Sequence, residues 1–561
     1  MEIGIDVGGT FTDAVLLEDG HVRAVAKVPT GEDPLEPVLA ALDTVLAGVP
    51  VAGVERVVLS TTLITNLIAH KKYDPVALVL IPGPGLPPEH YRVAAANSAT
   101  YVVSGAVDYR GREIEPLNEE EVRAVARDIA ARGYRRAAVV GKFSPRNAAH
   151  ELRAAAILKE LVPELQVELG HLVAGQLNFP RRILTAFLTC ATRERYAAFA
   201  RAVAEALHRR GLTARAFILK ADGGTLPLEA AARYPVETVF SGPAASTLGV
   251  QALLPPGETA VVLDAGGTTT DLALILSGTP LIASRGLKVE DQFTQVRGLA
   301  VKSVPVGGDS VLERIGRELV VYSDRVDRPY CLGGSRPTPT DALRVLGHTE
   351  IGDPGRAYEA MALLAADSQG PEEVAAEVLL MVTEVVAGEV EAMFREWQEE
   401  PAYRVWEVLQ RRARKRPNLL VGVGGAAALA PLVAERLGAR ALVPPYAASA
   451  NAIGAAVART TLMVSLHVDT ARGRYVVAEE GYQGELEDPR YFGEHSAVEL
   501  ATAWLRKRAA ALGVGDEVDG VEILRQEVFN IVREWRTVGR LFDVVVQTPR
   551  GILTHIKGVS S

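Results

Sequence analysis

Short apolar runs alternate along the chain with segments whose apolar residues recur every three or four positions. Residues 3–5, 14–17, 57–59, 76–81 and 137–140 have the length and composition of strands. Residues 35–46 and 119–132 carry helical spacing between them. Two alanine-rich stretches, 183–209 and 372–399, predict long helices, the second stopping before Pro401. Strands alternating with helices predict an α/β architecture. Proline and glycine mark linkers at 81–88 and 328–339. Beyond residues 453–463 the chain becomes more charged, with an amphipathic helix expected at 496–512, a strand at 541–548 and a turn at 549–551. This predicts a small C-terminal α+β module whose role its residues do not reveal.

One repeat cuts across this pattern. Residues 5–17 read IDVGGTFTDAVLL and residues 263–275 read LDAGGTTTDLALI. From Asp6 to Asp13 and from Asp264 to Asp271, six of eight positions are identical. Each copy reads as strand, Gly-Gly-Thr turn, strand. The copies lie too far apart for a solenoid and suit two related halves. Glycines without side chains, expected at positive φ, let turn amides converge on one spot and hold phosphate oxygens. Gly8, Gly9, Thr10 and Thr12 form the first candidate phosphate turn, and Gly266, Gly267, Thr268 and Thr269 the second. Asp6 and Asp264 repel a phosphate but suit Mg²⁺, which prefers hard oxygens. Asp13 and Asp271 are expected to brace their turns through Asx-type bonds. A third glycine pair, Gly424 and Gly425, follows a buried-type strand and offers a flat surface to an adenine or ribose.

Composition narrows the partners. The chain has 561 residues, enough for three or four domains at about 150 residues each. Its net charge of -9 disfavours a phosphate backbone as ligand, so nucleic-acid binding is not expected. Cys190 and Cys331 are the only cysteines and make neither a disulfide framework nor a thiolate metal site. The histidines lack zinc-hydrolase spacing. No basic, apolar leader opens the sequence and no run reaches membrane-spanning length, so a cytoplasmic, membrane-free protein is expected.

Two phosphate turns followed by a Gly-Gly adenosine loop is the motif order of the actin-like ATPase superfamily. Within it the sequence resembles the hydantoinase/oxoprolinase family, A-subunit type. The motifs are IDVGGTFTDAV at 5–15, STTLITN at 60–66, FSGPAAS at 240–246, LDAGGTTTDLAL at 263–274, PTPTDA at 337–342 and VGVGGAAA at 421–428. The resemblance implies two related lobes around a nucleotide cleft: residues 1–175 with the first turn, 176–460 with the second turn and adenosine loop, then the module 461–561. It also implies ATP and Mg²⁺ as cofactors. The reaction it implies is ATP-dependent opening of a cyclic amide such as 5-oxoproline or a hydantoin, or carboxylation of a ketone, with a B-type subunit as partner. A glycine triplet of the family is reduced here to Gly307-Gly308-Asp309-Ser310.

Other residues divide between chemistry and scaffolding. Thr61, Thr62, Thr65 and Asn66 follow a strand and are candidates to line the cleft and touch substrate, or to cap a helix. Asp341 is the spare carboxylate for orienting water or substrate, with capping as its alternative. Ser241 has no histidine partner in view, Lys71 and Lys72 read as a solvated pair, and Cys331 reads as inert. Two further functions share such a cleft: a small-molecule kinase, and a chaperone-like ATPase that reactivates a partner enzyme.

Overall fold

The computed structural model describes residues 1–31, 33, 35–85, 98–289, 291–323, 327–366, 368–399 and 417–558. The first lobe is built on β1 (Glu2–Val7), β2 (Phe11–Glu18), β3 (His21–Pro29), β4 (Arg56–Thr61), β5 (Arg215–Leu219) and β6 (Thr225–Pro227), in the order β6-β5-β4-β1-β2-β3. β1, β2 and β3 pair antiparallel, whereas β4 joins β1, and β5 joins β4, in parallel. The second lobe repeats this plan with β7 (Ala260–Ala265), β8 (Thr270–Leu276), β9 (Val301–Val304), β10 (Leu419–Val423) and β11 (Arg440–Leu442). β7, β8 and β9 pair antiparallel, and β10 and β11 add in parallel. The repeated sequence therefore folds into a repeated sheet, the actin-like arrangement the motif order implied.

The strands fall where the apolar runs predicted, most of them one to three residues longer at their ends, with 76–81 observed as 77–81 and 541–548 as 536–547. A four-stranded parallel sheet from residues 77–81, 99–102, 136–141 and 166–169 is inserted into the first lobe. Helix α1 (Phe179–Arg209) starts on the Asn178 cap, whose side chain accepts the Arg181 amide, and Pro180 stands in its first turn. The boundary expected at 175/176 falls inside the first lobe, because β5 and β6 come after it and complete that lobe's sheet. Local composition could not reveal that return, since parallel pairing with β4 is a long-range contact. Residues 86–88 of the expected 81–88 linker, and the expected stop before Pro401, lie outside the described residues.

Two helices bring the lobes together: α2 (Ser241–Leu253) and, beyond the second long helix α3 (Pro371–Glu399), α4 (Ala450–Val457). They cross at glycines. A Cβ on Gly454 would sit 1.8 Å from the Ala245 carbonyl oxygen, and one on Gly249 would sit 2.0 Å from that of Ala450. Gly4 of β1 lies under α4 in the same way, its imagined Cβ 1.9 Å from the Ala452 oxygen. Ile453 and Val457 of α4 are fully buried, in one apolar cluster with Val15 and Leu17 of the first lobe and Val262 and Val421 of the second. Burial of side chains this size contributes roughly 1.5–3 kcal/mol each.

The C-terminal segment forms a second antiparallel sheet, β14-β13-β12-β16-β15, from β12 (Met463–Asp469), β13 (Arg474–Val477), β14 (Tyr482–Glu485), β15 (Glu522–Arg533) and β16 (Arg536–Gln547). Helix α5 (Glu494–Ala511) covers one face, where the amphipathic pattern placed it. Val464, Leu466, Leu505 and Phe542 belong to the same core as Ile3, Leu59 and Phe187, so this sheet is fused to the first lobe.

Candidate functional site

The C-terminal ends of β1 and β7 carry the two turns. Gly8 N–H donates to the Phe11 carbonyl at 3.1 Å, and Gly266 N–H to that of Thr269 at 2.9 Å, so both turns close by the same bond. None of Gly8, Gly9, Gly266 and Gly267 takes a positive φ. What the position requires is a missing side chain: a Cβ on Gly8 would approach the Phe11 oxygen to 2.9 Å, and one on Gly267 the Asp309 carboxylate to 2.7 Å. Gly9 is exposed, and Thr10 and Thr268 are half-buried beside it and Gly267. Gly424 does need the left-handed region, at φ +82, and a Cβ there would lie 2.4 Å from Asp264 Oδ1. Gly425 beside it is exposed with open space above it.

Strand register places the carboxylates. Asp6 pairs across the hairpin with Asp13, and Asp264 with Asp271, so each pair shares one face of its sheet. The residue that joins the two pairs is Asn451, in the first turn of α4. Its Nδ2 donates to Asp6 Oδ2 at 3.2 Å and to Asp264 Oδ2 at 3.3 Å, bridging the lobes at their pseudo-symmetric centre. Asn451 was not among the expected site residues; its signal in the sequence is a lone amide in the alanine-rich run 447–457.

The electrostatics favour a cation. Burial pushes the Asp6 carboxyl up to about 6, against the opposing hydrogen bond from Ser60. Burial raises Asp264 as well, opposed by hydrogen bonds from Asn451 and Ser246. Asp271 rises to about 7 through burial and then the Asp264 charge. Asp13 is raised by burial, with Lys27 pulling it back through a 3.0 Å ion pair. That pairing, and not an Asx-type bond to the turn, is what Asp13 makes. Asp6 Oδ1 is buried and has no hydrogen-bond partner among the described residues. A buried acceptor without a donor, on a carboxylate whose ionised form is disfavoured, fits a hard cation. No group of three or more His, Cys, Asp or Glu is poised for a metal among the described residues. Two carboxylates alone would leave much of an ion's coordination to water and ligand oxygens, a donor set that Mg²⁺ accepts.

Three expected site residues are scaffold. Thr12 is fully buried and its hydroxyl bonds that of Thr30 at 3.1 Å, which in turn donates to the Gly8 carbonyl at 3.0 Å. Its counterpart Thr270 is likewise buried, bonded to the Val306 carbonyl at 2.7 Å. Thr269 instead takes the place of Phe11 in the repeat and stays half-buried at the turn. Asp341 is fully buried and takes the amides of Thr338 (2.8 Å), Cys331 (2.7 Å) and Tyr330 (3.3 Å) and the Thr338 hydroxyl (2.9 Å). That capping box consumes its lone pairs, so it orients neither water nor substrate. Thr61, 1% exposed, accepts the Leu63 amide and has no surface for a substrate.

The remaining motifs buttress the turns. Thr65 accepts the Phe240 amide at 3.1 Å, and Ser241 Oγ donates to the Thr61 carbonyl at 3.0 Å, locking 60–66 to 240–246. Ser241 is 1% exposed, which bars it as a nucleophile. Thr62 and Asn66 bond one another at 3.2 Å on the outer side, Asn66 exposed. Gly308 and Asp309 donate their amides to the Gly266 and Gly267 carbonyls at 2.9 and 2.6 Å, and Thr340 holds the Gly308 carbonyl through its hydroxyl at 2.7 Å. The 337–342 motif thus supports the second turn from behind. Burial lifts both cysteine thiols to about 12, which leaves them unreactive. No helix among the described residues is long and apolar enough to cross a membrane.

Comparison with known proteins gives the family and the fold. The model of the hydantoinase/oxoprolinase family matches residues 182–464, and that of the family's N-terminal region matches residues 2–162. An uncharacterised protein of Methanocaldococcus jannaschii is 24% identical over 62% of this chain; the match spans 56% of that relative's length. The acetophenone carboxylase gamma subunit of Aromatoleum aromaticum is 25% identical, with 93% of this chain and 76% of the relative covered. The caprolactamase subunit alpha of Pseudomonas jessenii is 24% identical, with 80% and 68% covered. Among solved structures, nucleotide-free acetone carboxylase superposes with a TM-score of 0.73 at 19% identity, covering 99% of this chain and 88% of the other.

Proposed function

The chain belongs to the hydantoinase/oxoprolinase family, and from that premise we propose that it is the ATP-using subunit of an enzyme that activates the carbonyl of a cyclic amide for hydrolysis. The observation that carries this reading is the Asn451 bridge, which sets two glycine turns and two aspartates face to face. With Mg-ATP held there, its γ-phosphoryl group would pass to the lactam oxygen as ADP leaves; water would then add at the activated carbon, the ring C–N bond would break with a proton going to nitrogen, and phosphate would be released.

The chain's own residues do the positioning. The Gly8–Thr10 and Gly266–Thr268 turns hold phosphate oxygens from opposite lobes. Asp6 and Asp264 hold the magnesium, and Asn451 fixes both carboxylates so that neither turns away. Gly424 and Gly425 leave room for the nucleoside. The relatives named as subunits support a partner chain, of B type, that completes the chemistry.

A second reading, carboxylation of a ketone, is favoured by the 93% coverage against the acetophenone carboxylase subunit. One assay separates the two. The purified chain, alone and with a B-type partner, is given Mg-ATP and either lactams and hydantoins or ketones with bicarbonate. Lactam-dependent ADP release with ring opening is expected. ADP release only with ketone and bicarbonate establishes the second reading. A stable phosphorylated product would mark a kinase, and turnover answering only to a protein partner would mark a chaperone-like ATPase.

A further inference from the structure

A cavity of ≈ 620 Å³ lies between the first lobe and the C-terminal sheet. Residues from the inserted region, Tyr109–Arg112 and Pro145–Arg146, form one wall, and β12, β15 and β16 form the other. None of the aspartates or glycine turns of the candidate site lines it.

Two features distinguish it. The first is charge. Five arginines line it, of which Arg110, Arg112 and Arg146 are ion-paired to Asp469, Asp108 and Asp543, while Arg525 and Arg533 make no ion pair among the described residues. The second is a set of buried polar atoms with no partner among the described residues. Arg146 Nε and Arg525 Nε are unpaired donors, Ser465 Oγ is an unpaired hydroxyl, and His467 Nε2 is unpaired. Ser465 is 6% and His467 7% exposed, so Oγ and Nε2 lack both a protein partner and free access to solvent. Leaving such groups unpaired costs free energy that a ligand would restore.

The roles of these atoms are set by their neighbours. His467 Nδ1 lies 2.8 Å from Asp543 Oδ1, and Arg146 lies 2.7 Å from the same carboxylate oxygen. Burial pushes Asp543 up, but His467 and Arg146 outweigh it and hold the carboxyl down at about 2. Asp543 is therefore an acceptor only, and Nδ1 carries the proton. Burial also depresses the imidazole, leaving Nε2 with an unpaired lone pair. The cavity thus offers guanidinium and hydroxyl donors together with one imidazole acceptor. Leu177, Phe529, Ile531 and Leu541 supply apolar wall between them.

We infer that this cavity is a second binding site, for a small carboxylate that also carries an N–H or O–H group on an apolar body. The carboxylate meets Arg146, Arg525 and Ser465, and the donor meets His467 Nε2. The assignment is independent of the nucleotide reading, since it uses none of the same residues.

Calorimetric titration of the full chain tests it, with hippurate (carboxylate, N–H and ring) as probe, benzoate lacking the N–H, benzamide lacking the carboxylate, and inorganic phosphate. Hippurate is expected to bind saturably at one site and more tightly than benzoate, with benzamide and phosphate weaker still. Arg525→Gln, on the solvent-side strand of the sheet, should weaken hippurate and benzoate alike by tenfold or more. His467→Phe, its fold checked by circular dichroism, should weaken hippurate more than benzoate. Saturating Mg-ATP should leave hippurate binding in place. Absence of saturable heat with folded protein, affinity unchanged in Arg525→Gln, preference for phosphate, or displacement by Mg-ATP would each overturn the assignment.

Discussion

Asn451 holds the centre of the molecule with one amide group. It cannot be exchanged for aspartate without adding a further charge to four carboxylates, nor for alanine without freeing two of them. Asn451→Ala is expected to lower ATP turnover about tenfold or more, the scale of a lost positioning hydrogen bond, and to raise the magnesium concentration needed for half-activity. Steady-state ADP release against magnesium checks both. Asp6→Asn and Asp264→Asn should each cost about a hundredfold or more in turnover with the fold intact; wild-type turnover in both would remove the metal assignment. Asp271 gives a stability test. Its carboxyl, raised to about 7, binds a proton in the folded chain that the unfolded chain has already lost. Stability therefore falls as pH rises from about 4 through 7. In magnesium-free buffer, Asp271→Asn should stabilise the chain at pH 8 by roughly 1–2 kcal/mol, allowing for solvent at the cleft, and change little near pH 4. Denaturant melts at the two pH values would show it, and equal effects at both would refute the assigned titration.

At the scale of elements, the α2–α4 crossing depends on backbone approaching backbone. Gly454→Ala places a methyl group 1.8 Å from the Ala245 oxygen by position alone, so the helices must separate. A loss of about 3 kcal/mol or more is expected, with turnover falling in parallel because α4 carries Asn451. Thermal melts alongside ADP release check this, and a variant as stable as wild type would show that the helices slide freely. The elements were largely legible beforehand. Apolar runs located the strands and alanine-rich periodicity located α1 and α3, because these signals are local. The twin turns were legible too, since a repeated octet in one chain is hard to produce by turn preference alone. What sequence spacing could not carry was distance. The β4–β5 pairing that moves the lobe boundary, the Asn451 bridge and the withdrawal of Thr12, Thr61 and Asp341 into scaffold all depend on which partner arrives from far along the chain. Asp341 is the instructive case: an isolated acid after Pro-Thr reads equally as a catalyst or a cap, and only the four donors around it decide.

Across the whole molecule, two lobes meet at a central amide, a helix crossing and a shared apolar cluster, and Leu287, Val289 and Val296 of the second pack into the core of the first. A nucleotide held by both turns should draw the lobes together, and small-angle scattering is expected to show a smaller radius of gyration with Mg-ATP. Identical curves with saturating Mg-ATP would mean the halves are already fixed. Because the C-terminal sheet is fused into the core of the first lobe, it must travel with that lobe. Its outer hairpin runs twelve residues out and twelve back; Leu541–Gln547 pair with β12, and the five residues of β16 beyond them project about 17 Å. At the far end stands Trp535, wholly exposed. A swing of about 10° at the base of such an arm would sweep the indole through several ångströms. The smallest movement in the molecule would then become its largest outside, at the indole of Trp535.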